Sequence, residues 1–240
     1  IKPVKVDVEV YNLTQRALFF SEISKGAFDI SIVAMDKIWK FDGSMEKLPS
    51  KKSIRKSVEK VDYNNIVLDS VNSTIFLKKK GMKIGFGATG KGYAADNARK
   101  ILQQEGVKSG IINAAGDIAT WGTQLNGEPW KLGVNNPFET GEIIEILEFS
   151  TNKAVTTSGS YEKYAEINQK RYSHIINPKT GIPSSGITSV TIIGTNAEMC
   201  NGFSTTIMVL GVKKGMQLMK KFPDYRYLIL TDKEEIIKNF

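Results

Sequence analysis

Cysteine is almost absent from this chain, and the single one, Cys200, excludes an internal disulfide and any metal site built from several thiolates. Histidine is as scarce. His174 is the only imidazole in 240 residues; a lone histidine is more often structural than catalytic, yet imidazole is the side chain best suited to accept a proton near neutral pH, and both readings stay open. No run of about 18 apolar residues occurs, which argues against a spanning helix. No internal repeat, low-complexity tract or linker interrupts the chain, so one α+β domain over residues 1–240 is the economical expectation. Residues 1–10 alternate charges with valines rather than forming a signal peptide, and a start at Ile1 leads us to expect a trimmed chain whose original address is missing.

Acidic residues are in deficit. With 33 Lys and Arg against 25 Asp and Glu, the net charge is +8, which attracts phosphates in general. Lys51, Lys52, Arg55, Lys56 and Lys60 crowd a polar excursion at about 43–60, but few aromatics interleave with them and no nucleic-acid motif appears. Nucleic acid is therefore not an expected partner.

What the chain has in abundance is glycine at one place. Gly85-Phe86-Gly87-Ala88-Thr89-Gly90-Lys91-Gly92 puts four glycines in eight residues, a composition that permits positive φ and close approach to a ligand. The following residues, Gly92 to Gln104, set Ala94, Ala95, Ala98, Ile101 and Leu102 at helical spacing, with Gly106 as the stop. The loop thus stands at a helix N-terminus, where free N–H groups favour anions. Gly85 and Gly90-Lys91 have Walker A spacing, but Gly92 stands where a Ser or Thr hydroxyl should reach Mg²⁺. A tight strand-to-helix turn is the bland alternative.

Other segments sort by periodicity and caps. Val8 to Ser24 reads as a helix closed by Lys25-Gly26, and Asp29 reads as the cap of a helix over 33–41 or as a polar contact to a ligand. Residues 65–69 and 73–77 read as a hairpin, and 82–86 as a strand delivering the glycine loop. Strands are expected at 109–113, 130–134, 142–149, 154–157, 171–177, 187–194, 227–231 and up to Phe240, with Ala114 to Asp117 and Thr156 to Tyr161 as turns. Glu145 between Ile144 and Ile146 points to a one-sided antiparallel sheet. Thr195-x-x-Glu198 resembles a capping box opening the helix that carries Cys200, Asn201 and Thr205, and Val212 to Phe222 reads as the next helix. Asn201 and Thr205, four apart, share one helix face; they are either two oxygen ligands for Mg²⁺ or two polar surface residues.

Six of these blocks occur in the order found in the ApbE family, the FAD:protein FMN transferases. They are Gly26-Ala27-Phe28-Asp29-Ile30, Lys91 to Asp96, Asn113 to Asp117, Thr157-Ser158-Gly159, Ser173 to Pro178, and the helix bearing Asn201 and Thr205. The resemblance runs from about residue 10 to the C-terminus. It implies an α+β, T-fold-related architecture with mixed or antiparallel sheets. It also implies an enzyme that cleaves FAD with Mg²⁺, attaches FMN to a Thr or Ser hydroxyl of an acceptor protein and releases AMP.

By the same resemblance Ala27, Phe28, Asp29, Gly85, Lys91, Ser158 and Ile176 would contact the flavin nucleotide. The Ala88 carbonyl, Asn201 and Thr205 would hold the metal, and His174 would be the base for the acceptor hydroxyl. Relatives work in the periplasm or at the cell surface as lipoproteins or membrane-attached proteins, so tethering through a missing N-terminus is expected. Three departures stand out: Asn201 replaces the family's Asp and should weaken Mg²⁺ binding, Gly85 stands where many relatives carry Asp, and the family's N-terminal part is absent before Ile1. A FAD-binding protein with a weakened metal site, or a FAD pyrophosphatase, is the alternative.

Overall fold

The computed structural model describes residues 2–139, 141–161 and 163–240. In chain order its elements are β1 (Val4–Lys5), α1 (Val8–Ile23), α2 (Lys51–Ser57), β2 (Ile66–Asp69), β3 (Thr74–Leu77), α3 (Gly90–Gln104), β4 (Gly110–Ala114), β5 (Asp117–Trp121), β6 (Trp130–Asn135), β7 (Ile143–Phe149), β8 (Lys153–Gly159), β9 (Tyr164–Ile167), β10 (Lys170–Ser173), β11 (Ile187–Gly194), α4 (Ala197–Leu210), α5 (Val212–Met219), β12 (Arg226–Thr231) and β13 (Ile236–Lys238), with 3-10 turns at Ile30–Ala34 and Tyr63–Asn65. The architecture is α+β, and the strand pairs among the described residues are antiparallel. No helix among the described residues is long and apolar enough to cross a membrane.

The chain divides into two compact units, each made of separated stretches. The first comprises Ile1–Gly87 and Glu162–Ser185, the second Ala88–Tyr161 and Gly186–Phe240.

In the first unit α1 forms where the sequence predicts it. Asp7 caps its start by accepting from the Glu9 N–H (2.8 Å), and Tyr11, Thr14, Ala17, Phe20 and Ser21 are buried at a spacing of three to four. Lys25 (φ 53°) and Gly26 (φ 79°) close it, with the Gly26 N–H returning to the Ser21 carbonyl at 2.7 Å. β1, β3 and β2 make a three-stranded sheet in that order, and β9 and β10 form a separate hairpin through Asn168 and Gln169, both at positive φ.

The second unit is built on a six-stranded sheet of order β13-β12-β11-β8-β5-β4, with α3 and α4 packed on it. Phe203, Ile207 and Met208 of α4 are buried, as are Val190 and Ile192 of β11 and Leu228, Ile229 and Leu230 of β12. Burying side chains of this size contributes about 1.5–3 kcal/mol each. β6 and β7 form a two-stranded ribbon joined to the sheet through Val134, Leu147, Val155 and Ile193. The imperfect alternation around Glu145 has a cause: Ile143 pairs with Asn135 and Glu145 with Val134, so Ile144 is an inserted residue that moves Ile144 and Leu147 onto the packed side.

Several local expectations are corrected. The helix over 33–41 ends after one 3-10 turn because Met35 turns extended (ψ 137°), and the Trp39 indole N–H instead reaches the Gly181 carbonyl at 2.9 Å. Residues 82–86 form no strand; the Gly85 N–H is drawn to the Ile30 carbonyl at 3.0 Å. Thr156 to Gly159 lie in the sheet rather than in a turn, because β8 pairs with β11 through Gly159, while its pairing with β5 on the other side ends at Thr156. The cap of α4 is Asn196, whose side chain accepts from the Met199 N–H (2.8 Å), and not Thr195, whose carbonyl is taken by Arg99. β5 and β9 were not anticipated, each starting where a turn was read or where polar residues mask the alternation.

Candidate functional site

The glycine loop departs from its expected conformation. Gly85, Gly87, Gly90 and Gly92 do not adopt positive φ. What requires glycine at 92 is packing: a Cβ there would stand 2.3 Å from the Ala197 carbonyl oxygen at the start of α4. The Walker A position that calls for Ser or Thr therefore has no room for a side chain, and the P-loop reading fails for a steric reason. At Gly85 a Cβ would meet the Val33 Cγ1 at 2.8 Å, so any side chain there would require that valine to shift.

In the second unit, α3 begins at Gly90, two residues earlier than read, so Lys91 sits in its first turn. Its N-cap, Thr89, makes no side-chain capping bond, and Thr89 Oγ1 is fully buried without a hydrogen-bond partner. An uncapped first turn leaves backbone N–H groups available to an anion. Lys91 Nζ donates to the Ala115 carbonyl (3.0 Å) and stands 3.6 Å from the Asp117 Oδ1, a carboxylate with no exposed surface. The receiving hairpin turn is made by Ala115 (φ 51°) and Gly116 (φ 94°), with the Gly116 N–H held by the Asn113 side chain at 2.8 Å. Ala88, proposed as a carbonyl ligand, is half-buried just before Thr89.

α4 is fixed beside α3 by a buried ion pair. Arg99 meets Asp96 at 2.8 Å and donates to the carbonyls of Thr120 (3.3 Å), Lys153 (3.1 Å) and Thr195 (2.8 Å), while the other Asp96 oxygen accepts from the Glu198 N–H at 2.9 Å. Helix α3, the sheet and the α4 N-terminus are thereby tied at one point. Asn201 is buried one turn into α4, not on the surface, and its Oδ1 has no hydrogen-bond partner. Thr205 Oγ1 lies 3.4 Å from the Ser158 hydroxyl, which also pairs with Ser204 at 2.8 Å. Cys200, buried in the same helix, has its thiol pushed well up by burial and by the nearby Asp96 and Asp117 carboxylates, so it stays protonated.

The donor set suits a hard cation in kind. An orphaned buried amide oxygen at Asn201, the Thr205 hydroxyl and the Ala88 carbonyl are oxygen ligands of the sort Mg²⁺ takes, but none of the three is charged. Among the described residues no group of three or more His, Cys, Asp or Glu could hold a metal.

In the first unit, Asp29 is buried and caps the 3-10 turn. Its Oδ1 accepts from the Ser31 N–H (2.8 Å) and hydroxyl (2.7 Å), and its Oδ2 from the Tyr63 N–H (2.9 Å). Desolvation raises its pKa despite those bonds. Ala27 and Phe28 are buried as well, the Phe28 ring 5.3 Å from that of Phe20. Ile176 pairs with Pro183 in a β-bridge.

His174 follows β10 and is half-buried. Its Nδ1 lies 3.0 Å from the Lys163 carbonyl oxygen, which also accepts the His174 backbone N–H at 3.1 Å. A carbonyl has no proton to give, so Nδ1 carries the hydrogen in the neutral ring and Nε2 keeps its lone pair, the state a general base requires. The structure thus brings Lys91, Ala88, Ser158, Asn201 and Thr205 into one unit, and Ala27, Phe28, Asp29, Gly85, His174 and Ile176 into the other. Sequence reasoning placed Asp117 in a motif but missed its pairing with Lys91, and it missed Thr89 and the Asp96–Arg99 tie; an Asp-x-x-Arg pair inside the helix pattern was the available signal for the last.

The chain matches the ApbE family over residues 1–229. It is 30% identical over 236 residues to the FAD:protein FMN transferase of Klebsiella pneumoniae, spanning 98% of this chain and 73% of that relative. It is also 30% identical over 235 residues to the protein of the same name from Treponema pallidum, spanning 92% of this chain and 65% of that one. The crystal structure of the ApbE protein from Thermotoga maritima is similar with a TM-score of 0.89 at 33% identity, covering 99% of this chain and 78% of that chain. The flavin transferase ApbE from Vibrio cholerae shares the fold at a TM-score of 0.86 and 21% identity, covering 99% and 76%. With the family matched over nearly the whole chain and the fold shared with its solved structures, this chain belongs to the ApbE family.

Proposed function

We propose that this chain is a FAD:protein FMN transferase that moves the FMN part of FAD to a Thr or Ser hydroxyl of an acceptor protein and releases AMP. The observation that carries the reading is the 30% identity, over 98% of the chain, to a relative named for that reaction. The chemistry of the residues is consistent with it. Cleaving a phosphoanhydride by an alcohol needs positive charge at the phosphate oxygens, a base for the hydroxyl, and a held nucleotide.

His174 Nε2 takes the acceptor's hydroxyl proton while the Lys163 carbonyl keeps Nδ1–H in place. Lys91 and the uncapped first turn of α3 supply positive charge for the diphosphate. Asn201 Oδ1, the Thr205 hydroxyl and the Ala88 carbonyl would hold Mg²⁺, which when bound neutralises phosphate charge. The Asp117 carboxylate orients Lys91, leaving the ammonium part-exposed and able to donate further.

Incubation with FAD, Mg²⁺ and an acceptor protein is expected to give a covalently flavinylated, fluorescent acceptor with stoichiometric AMP. Label absent from both the parent chain and Asn201→Asp, at millimolar Mg²⁺, would count against the reading. One observation favours a second reading: the buried oxygen at 201 belongs to a neutral amide. A FAD-holding protein with a weakened metal site would bind FAD and release neither AMP nor FMN.

AMP release separates the two, and Asn201→Asp tests where the cation sits. A buried carboxylate without its cation is destabilising, so the variant should melt lower than the parent in chelator and recover in Mg²⁺, and its Mg²⁺ affinity should rise about tenfold or more. Thermal denaturation with and without Mg²⁺, and calorimetric Mg²⁺ titration, read this directly. A variant indifferent to Mg²⁺ would place the cation elsewhere.

A further inference from the structure

A segment without regular structure holds the imidazole. Residues 35–45 form neither helix nor strand, yet Trp39 within them is 8% exposed and Phe41 is half-buried. Trp39 is fastened at two points. Its indole N–H donates to the Gly181 carbonyl (2.9 Å), and its ring stacks on Tyr172 at 5.8 Å, two residues before His174 on the same hairpin. Phe41 stacks on Trp39 at 6.5 Å with the planes 9° apart, and meets the His174 ring edge to face at 6.5 Å and 77°. The Asp42 carboxylate, which takes the Ser44 N–H and hydroxyl, turns the chain immediately afterwards.

We propose that Trp39 and Phe41 form a positioning arm for His174: Trp39 is its anchor, and Phe41 is the wall that keeps the imidazole against the Lys163 carbonyl, so that Nε2 carries the lone pair. The inference deepens the transferase reading and rests on it for the base's role. Neither residue touches the reacting groups in this scheme. They act through the ring.

The physical reason is that one hydrogen bond to a part-exposed carbonyl competes with water. Such a bond contributes about 0.5–1.5 kcal/mol net, too little to fix a ring that can rotate about χ1 and χ2. A neutral imidazole free in water favours the proton on Nε2, the wrong nitrogen for a base that must point Nε2 outward. An aromatic wall on one face removes the competing rotamers.

The test uses the chain's single histidine. In a ¹⁵N-labelled sample, a long-range ¹H–¹⁵N correlation spectrum of the imidazole contains one residue, with no assignment to dispute. The parent, in the neutral form of the ring, is expected to show protonated Nδ1 and bare Nε2. Phe41→Ala should move the ring to predominantly protonated Nε2, and Trp39→Phe, which keeps an aromatic ring but loses the indole N–H bond, should shift it part of the way. Phe41→Tyr should retain the parent spectrum. Circular dichroism and the melting temperature show whether each variant is folded, and Trp39→Phe supplies the reading if Phe41→Ala is not.

In flavinylation assays Phe41→Ala should lower kcat on the order of tenfold to a hundredfold while the KM for FAD stays within about twofold, as expected for a misplaced base rather than a lost binding contact. A parent with protonated Nε2, or folded variants whose imidazole spectra match the parent's, would overturn the inference. The spectra need neither FAD nor acceptor. If neither the parent nor Asn201→Asp transfers flavin while the parent shows the arm-dependent tautomer, the transferase reading is refuted and the arm stands.

Discussion

Asp29 shows how a residue can serve the local fold and set a pH dependence at once. Three donors converge on its carboxylate, yet burial outweighs them and its pKa lies above the ordinary aspartate value. The sign follows from proton counting. Between the unfolded and the raised folded pKa the native state binds more protons than the unfolded one, so stability falls as pH rises through that interval. Below the unfolded value the penalty is absent, and above the folded value it is complete. Asp29→Asn cannot titrate and should flatten this decline; at low pH, where the parent carries no ionisation penalty, it costs about 1–3 kcal/mol because the Tyr63 N–H loses its acceptor, and the difference narrows as pH rises. Urea midpoints from about pH 3 to pH 7 for the parent and the variant measure both effects. An unchanged decline in Asp29→Asn would assign the dependence to another group.

At the scale of elements, the contact between α3 and α4 is set by two features of opposite kind, an empty space and a filled one. Gly92 leaves the room that the Ala197 carbonyl occupies, and Arg99 fills the junction with four polar contacts. Gly92→Ala should destabilise by about 3 kcal/mol, because its Cβ meets backbone rather than a movable side chain. Arg99→Met should cost about 3–5 kcal/mol by leaving Asp96 as a buried charge, and adding Asp96→Asn should recover part of that loss. Denaturant unfolding of the two single variants and the double variant closes the cycle. Simple additivity would mean that the ion pair does not act as a unit.

The same elements show what the sequence can and cannot say. Helices α1 and α3, the β2–β3 hairpin and β11 were legible because their signals are local: a cap, a period, a glycine stop. The misread segments obey distant partners. Residues 33–41 have a helical period, but Trp39 is claimed by Gly181, 142 residues away. Residues 82–86 alternate like a strand, but Gly85 is held by the Ile30 carbonyl. Of the site, the sequence order of its blocks pointed to the family and to residues such as His174, Lys91, Asn201 and Thr205. It could not reveal that Asn201 is buried with an orphaned oxygen, or that Asp117 faces Lys91, because these facts arise only when β5 and β8 pair beneath α4.

For the whole molecule, the division into two units assigns the core unequally. Phe203, Ile192, Ile207, Met208, Leu228, Ile229, Leu230 and Val190, all buried to 2% exposure or less, belong to the second unit, whereas among the described residues Phe20 and Ile30 are the large apolar side chains buried to that extent in the first. The second unit is interrupted by residues 162–185, but the interruption enters and leaves at neighbouring strands. Gly159 pairs with Ser189, and the Ser160 N–H donates to the Thr188 carbonyl at 2.8 Å. A hairpin connection is therefore long enough to join Tyr161 to Gly186, and loop closure of that length is entropically mild. We expect a chain of residues 88–161 and 186–240 joined by a short Gly-Ser linker to fold alone, with one cooperative urea transition and slowly exchanging amides in β8, β11 and β12. It keeps Lys91, Asn201 and Thr205 and loses His174, so it should transfer no flavin. A chain that unfolds without cooperativity, or whose β8 amides exchange freely, would mean that the sheet needs the first unit to hold its register.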